Sequence, residues 1–277
     1  MAISVIIITR NTEYYMRDCL DSLVHQSRKP DEVIVVDADS TDATPQIVRE
    51  FGAQYPYIKF FNKPLQKGEA RNYGVSKSTG DIVAFVDADT ICHALWIEEM
   101  LKAFAQPGID AVAGKEVRLG YSGFAGLKRV PLLHKGQDVT YPTVNMAYTR
   151  KAFGHVRGFD PWFKEAEDVD LNFRVVDAGF KLIYHDKAIV FHRVRDSFFG
   201  FFKQAFWYGF GRKELTLRHG TLWSKYEPLE MVRVSREESI WKIIRLVISA
   251  FGYMFCKVMG KKLDDKDRLR RSDVSER

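Results

Sequence analysis

The stretch IVAFVDADTI (Ile82 to Ile91) runs five apolar residues into an Asp-Ala-Asp triplet, the form of a buried strand that stops at two acidic side chains. VIVVDADSTD (Val33 to Asp42) repeats that form, and ISVIII (Ile3 to Ile8) ends in Thr9-Arg10-Asn11. IKFF (Ile58 to Phe61) is a fourth strand-like run. Between these runs, Tyr15 to His25 carries apolar residues at helical spacing, and Thr44-Pro45 reads as an N-cap followed by proline at the first helical position. Further helices are expected from near Gly68 to Ser78 and from about Trp96 to Ala105. Strands alternating with helices over short connections predict an α/β fold, a mostly parallel sheet flanked by helices.

In such sheets ligands bind at the carboxyl ends of the strands. Thr9-Arg10-Asn11, Asp37 to Ser40 and Asp87 to Thr90 all fall just past a strand end, so three polar clusters converge on one rim. Asp and Ser there also serve as ordinary turn and capping residues. Two carboxylates one residue apart repel, and each pair needs a cation or donors to offset it. In an extended segment Asp87 and Asp89 project to one face, a pair of oxygen ligands suited to Mg²⁺ or Mn²⁺ held jointly with a diphosphate. His192, ending the later apolar run AIVFH, is a candidate third ligand whose imidazole favours Mn²⁺.

The middle of the chain is less regular. Gly114 to Pro142 has no sustained period, in keeping with a loop over the site. TVNMAY (Thr143 to Tyr148) reads as a strand. In KEAEDVDLNFRVVDAG (Lys164 to Gly179), Leu171, Val175 and Ala178 put Asp168 in the first turn of a helix that ends at Gly179. KLIY and AIVFH read as two more strand-like runs.

Net charge is +6, and the surplus is confined to one block. Arg193 to Leu263 holds 14 Lys or Arg against 6 Asp or Glu, without a zinc-finger spacing or an RNA-binding motif, so a nucleic-acid partner is not expected. The block is aromatic as well as basic. SIWKIIRLVISAFGYMFCKVMGKK (Ser239 to Lys262) has only 11 uncharged residues between Arg245 and Lys257, too few for a membrane-spanning helix of about 20. It reads instead as an interfacial helix with basic and aromatic anchors, against the alternatives of a dimer contact or packing on the core. The closing DDKDRLRRSDVSER is charged throughout and is expected to be disordered. Cys19, Cys92 and Cys256 have no metal or redox spacing and read as small buried apolar residues of a cytoplasmic protein. No apolar segment follows a basic stretch at the N-terminus, so secretion by a signal peptide is not expected.

Three segments together resemble one family: SVIIITRNTEYYMRDCLDSLVHQSRKPDEVIVVDADSTDAT, then KGEARNYGVSKSTGDIVAFVDADT, then VNMAYTRKAFGHVRGFDPWFKEAEDVDLNFRVVDAGFKL. Their order and spacing are similar to those of the inverting nucleotide-sugar glycosyltransferases of family 2, over about residues 2 to 212. The resemblance implies a GT-A fold, Rossmann-like, with a helical C-terminal extension. It implies that Asp37 recognises the donor nucleobase beside Thr9 and Asn11, while Asp39 reaches the base or ribose. Ala38 departs from relatives that carry a carboxylate there, which leaves open which side chain reads the base. Arg71 resembles the diphosphate-side residue, Asp87 and Asp89 match the D-x-D with Asp87 also touching ribose, and His192 resembles the histidine that completes the metal site. Asp168 resembles the general base, while Asn145, Trp162 and Glu167 are expected on the acceptor side; Glu167 is read equally as an orienting or ion-paired residue of that turn.

The expected organisation is a catalytic domain over 1–196, divided near residue 114 into nucleotide-binding and acceptor-binding halves, then a helical extension over 197–262 and a tail over 263–277. The expected reaction moves one sugar from a UDP-sugar, with a GDP-sugar next, to an acceptor hydroxyl, possible acceptors including lipid-linked ones at the cytoplasmic face of the cell membrane. KQAFWYGFGR (Lys203 to Arg212) departs from the Q-x-x-R-W signature of processive synthases, because Phe206 and not an arginine precedes Trp207. A rival reading, a phosphatase similar to haloacid dehalogenases, takes VVDADST as its motif with Asp37 as nucleophile and Asp39 as acid. Against it, the only adjacent Asp pair, Asp264-Asp265, lies in the charged tail. The other rival is a non-catalytic nucleotide-sugar binder. No phosphate-binding Walker loop is present, since Gly108 is one residue too far from Gly114-Lys115 and Glu116 replaces the hydroxyl.

Overall fold

A computed structural model describes residues 1–120, 127, 131–193, 197–222 and 236–259. The expected disordered tail and Asp264-Asp265 lie outside the described residues. The first half alternates β1 (Ile3–Thr9), α1 (Glu13–Val24), β2 (Glu32–Asp37), α2 (Thr44–Gln54), β3 (Ile58–Asn62), α3 (Lys67–Ser76), β4 (Ile82–Asp87), β5 (Thr90–Cys92), α4 (Trp96–Phe104) and β6 (Ala111–Leu119). A small hairpin, β7 (Leu133–His134) with β8 (Gln137–Asp138), precedes β9 (Met146–Thr149), α5 (Arg150–His155), α6 (Glu167–Asp177) and β10 (Leu182–Arg193). Two long helices follow, α7 (Phe198–His219) and α8 (Arg236–Val258).

The main sheet has the order β3-β2-β1-β4-β9-β6-β10-β5. The pairs β2–β3, β1–β2, β1–β4 and β6–β10 are parallel, whereas β9 runs antiparallel between β4 and β6. Both faces are covered, which is why the strands read as unbroken apolar runs. Val5 and Ile7 face α1 and α4 with Leu20 and Trp96, while Ile6 and Phe85 face the opposite core with Tyr148 and Leu171.

Several boundaries differ from the sequence reading. Thr143–Asn145 forms a 3₁₀ turn, so only Met146–Thr149 pairs as strand. KLIY and AIVFH are one strand, with a register irregularity between His185 and Ile189. Gly114 to Leu119 continues β6, so the irregular stretch begins later than expected. Thr44 is the first helical residue of α2 rather than its cap, and its hydroxyl accepts from Thr12 N at 2.8 Å. Helix α6 stops at Asp177, and Gly179, at φ 85°, takes the left-handed turn that ends it.

Helices α7 and α8 cross closely: a Cβ at Gly209 would lie 1.7 Å from Ser249 O, and one at Gly252 would lie 1.9 Å from Phe206 O. Among the described residues no helix is long and apolar enough to cross a membrane. The three cysteines are free and buried, as expected.

Candidate active site

The polar ends of β1 and β2 are stitched together by side chain to backbone bonds, and β4 ends beside β1 with Asp87 opposite Ile8. Asn11, at φ 52°, accepts from Thr41 N at 2.8 Å and donates its own N–H to Ser40 Oγ at 2.8 Å. Across the same gap Glu13 N donates to the Asp42 carboxylate at 3.1 Å, and the Glu13 carboxylate accepts from Ala43 N at 2.9 Å. Thr9 is buried and bonded to Thr12 Oγ1 at 2.5 Å. Asp37 is fully buried, and both its oxygens are committed: one accepts from Ser40 N at 2.9 Å, the other from the Ser40 hydroxyl. Asp37 thus closes the β2 turn onto Ser40. Asp39, at φ 56°, is the exposed carboxylate of this turn.

Asp87 ends β4 and Asp89 lies in the turn to β5, a tighter path than the extended segment expected. Strand β5 pairs antiparallel with β10, which sets His192 opposite Thr90. As a result one ligand atom from each of Asp87, Asp89 and His192 lies within 4.8 Å of the others. Two carboxylate oxygens and an imidazole nitrogen fit Mn²⁺ or Mg²⁺ with positions left for a ligand. The imidazole is also oriented: its Nδ1 meets Glu116 at 2.7 Å while Nε2 faces Asp89 at 3.4 Å. A carboxylate behind a metal-facing histidine fixes its tautomer and ring plane. Arg118 in turn holds Glu116 at 3.1 Å. Burial opposes ionisation of Glu116, yet His192 and Arg118 outweigh it and bring the carboxyl down to about 2. Glu116 and Arg118 were missed by sequence reasoning, because only the adjacency of β6 and β10 brings them to the histidine.

Arg71 connects this centre to the acidic helix start. It is buried over the Phe159 ring and donates to Glu167 at 2.6 Å and to Asp87 at 3.3 Å. With its side chain 7% exposed, the guanidinium is a strut between two acidic segments. Glu167 is therefore ion-paired in the interior, which favours the orienting role over contact with an acceptor. Asn145 accepts from Trp96 Nε1 at 2.8 Å and donates to Lys115 O and Ala188 O at 3.0 and 2.9 Å, so its polar atoms serve the core. Trp162 stays half-buried, edge-on to Phe163.

Asp168 follows Glu167 in the first turn of α6, after Ala166 in the left-handed conformation at φ 58°. Its carboxylate accepts from Val169 N at 2.8 Å, and among the described residues it has no ion pair. Burial pushes the carboxyl up, the charge of Glu167 adds to this, and it reaches about 7 despite Val169 N and Arg71. Two residues on, burial also opposes ionisation of Asp170, but Arg174 and His219 hold it at about 2. The site thus contains one carboxyl poised near neutrality and two, Glu116 and Asp170, held ionised.

A family model described as Glycosyl transferase family 2 matches residues 4–157. A pre-mycofactocin glycosyltransferase of Mycobacterium tuberculosis is 31% identical over 233 residues, covering 78% of this chain and 48% of that protein. The chain therefore spans about half the length of that relative. Glycosyltransferase AglE of Haloferax volcanii is 28% identical over 70% of this chain and 67% of its own. Among solved structures, a mannosyltransferase of Pyrobaculum calidifontis, in complex with GDP-Man and Mn²⁺, superposes with a TM-score of 0.64 at 16% identity over 92% of this chain and 73% of its own. TarS of S. aureus in complex with UDP-GlcNAc gives 0.59 at 20% identity, over 99% of this chain and 89% of its own. The fold is GT-A, and the chain belongs to glycosyl transferase family 2.

Proposed function

We propose that this glycosyltransferase is metal-dependent and inverting, and moves a single sugar from a nucleotide-sugar to an acceptor hydroxyl with Asp168 as general base. The observation that carries the reading is the convergence of Asp87, Asp89 and His192, tied through Arg71 to the turn that presents a near-neutral Asp168. The acceptor hydroxyl gives its proton to Asp168 while its oxygen bonds to the anomeric carbon, and the bond from that carbon to the diphosphate breaks on the opposite face. Bound at Asp87, Asp89 and His192, Mn²⁺ or Mg²⁺ supplies positive charge that stabilises the departing diphosphate. The leaving group needs no proton, so one carboxylate suffices where a glycosidase needs two. Asp37, beside Thr9 and Asn11, reads the donor base, and exposed Asp39 reaches the base or ribose. A UDP-sugar is the first choice and a GDP-sugar the second; the TarS complex with UDP-GlcNAc and the mannosyltransferase complex with GDP-Man support both. Screening nucleotide sugars for Mn²⁺-dependent thermal stabilisation, then for transfer, tests the reading. Full turnover with alanine at both Asp89 and Asp168 would refute it.

The acceptor is lipid-linked, and α7 and α8 rest on the cytoplasmic face of the membrane. Ile243, Val247, Phe251 and Met254 line one exposed face of α8, and Phe199 is exposed on α7. Exposed Lys203 and Lys257 stand beside them, the pairing of apolar face and basic rim expected of an interfacial helix. Ile243→Glu with Phe251→Glu is expected to abolish sedimentation with anionic vesicles, and unchanged sedimentation would remove the membrane reading.

A further inference from the structure

The last turns of α7 present Gly211, Glu214, Leu215, Arg218 and His219 on one face, and that face grips the segment leading into Asp168. Glu214, with no solvent exposure, accepts from Lys164 N at 3.3 Å and from Glu165 N at 3.0 Å. Arg218 pairs with Asp160, where both side chains are buried. His219 meets Asp170 at 2.8 Å and stacks on Phe173 with ring centroids 4.5 Å apart. Gly211 allows the approach, since a Cβ there would lie 3.0 Å from that of Ala166. Ala166 itself, in the left-handed conformation, has no side-chain cap to fix the turn. A buried carboxylate is expensive unless its oxygens are satisfied. Here two backbone N–H groups one and two residues before Ala166 satisfy it.

We propose that Glu214 is a positioning residue for the transfer reaction, holding the backbone at 164–165 so that the Ala166 turn aims Asp168 at the acceptor hydroxyl. The inference rests on the assignment of Asp168 as base. The test compares wild type with Glu214→Gln, which keeps the side chain's size and one carbonyl acceptor, and with Glu214→Asp, which is too short to reach both N–H groups. Transfer kcat is expected to fall about tenfold in Glu214→Gln and further in Glu214→Asp, since small misplacement of a reacting group costs up to about 10²-fold. Donor affinity, Mn²⁺-induced thermal stabilisation and donor hydrolysis without acceptor stay within about twofold on the same argument, and the midpoint of the pH profile for transfer drops as the loosened turn admits water. Equal losses in transfer, hydrolysis and donor binding that follow the thermal midpoint would mean general support of the fold and overturn the proposal. Wild-type transfer with an unmoved pH midpoint would also overturn it. Full activity in Asp168→Asn would instead defeat the assignment of the base, a separate failure. If Glu214→Asp does not fold, His219→Gln, which loosens the same turn from Asp170, supplies the second arm with the same expected split.

Discussion

Asp168→Asn removes the proposed base, and the structure says how its loss and its titration should look. A positioned general base contributes about 10²- to 10⁴-fold. The variant should lose that factor in transfer kcat, about 3 to 5 kcal/mol of barrier. Wild-type transfer should depend on the ionised carboxylate, and with its carboxyl pushed to about 7 by burial and then by Glu167, kcat at saturating donor, acceptor and Mn²⁺ should rise about tenfold between about pH 6 and pH 8. An aspartate near its ordinary value, about 3.9, would give a flat profile over that range. Protons competing for a metal site give a slope of the same sign. Glu167→Gln separates the two, because deleting its charge lowers the midpoint if Asp168 titrates, whereas weakened metal binding would raise it. Stability carries a matching signature. A carboxyl whose folded value is raised favours the native state less as pH climbs from its unfolded value toward about 7, so Asp168→Asn should raise the thermal midpoint more at about pH 8 than at about pH 5. A flat wild-type profile between about pH 6 and pH 8, or a midpoint unmoved by Glu167→Gln, would refute the assignment.

Glu116→Gln should weaken Mn²⁺ binding by about 10- to 100-fold, read by calorimetry with the metal alone, because the imidazole loses its orienting carboxylate; unchanged affinity would mean that His192 is not a ligand. Asn145→Ala should cost about 3 kcal/mol or more in urea unfolding, since three buried bonds disappear and their partners remain; a raised acceptor KM with unaltered stability would restore its acceptor role. Glu32, on which burial acts against ionisation but is outweighed by Thr79 N, Ser4 and Lys59, is held at about 2 against an ordinary 4.5. Its stabilisation is complete above about 4.5 and disappears as pH falls through about 2, so Glu32→Gln should lower the thermal midpoint at neutral pH and approach wild type in strong acid. Gly209→Ala should part α7 from α8 and speed amide exchange across 240–258, because the added methyl would meet the Ser249 backbone; unchanged exchange would contradict the crossing geometry.

Strand ends were readable in the sequence because a buried parallel strand announces itself by an unbroken apolar run, and a run that stops at Asp, Ser or Asn marks the rim. Asp87 and Asp89 were legible in place on those terms, and Asp168 by the helical spacing of Leu171, Val175 and Ala178 after it. Asp37 was legible in place, but its bonds to Ser40 were not, because nothing local distinguishes a carboxylate turned outward from one folded back onto its own turn. Asn145 and Glu116 depend on pairings between segments 30 and 76 residues apart, Asn145 with Lys115 and Glu116 with His192, and spacing carries no trace of them. Glu214, Arg218 and His219 were hidden differently, since the aromatic residues of α7 set the character of the whole segment and concealed a polar face at its end.

The acidic groups around this cleft have different tasks, and their partners set the difference. Asp170 and Asp168 lie two residues apart in one helical turn, Asp170 fully buried and Asp168 half-buried. One is held near 2 by Arg174 and His219 and the other stands near 7 with Glu167 beside it. Arginine accounts for much of that contrast. Arg71 spends its two bonds on Glu167 and Asp87, fixing the turn and a metal-facing carboxylate, and among the described residues Asp168 has no ion pair. An arginine bonded directly to Asp168 would keep it ionised but make it a poor proton acceptor near neutral pH, because a base works best when its pKa lies close to the operating pH. Ion pairing around the site therefore does two jobs at once: where cations are present they fix geometry, and where one is withheld they leave a carboxylate basic enough to take a proton.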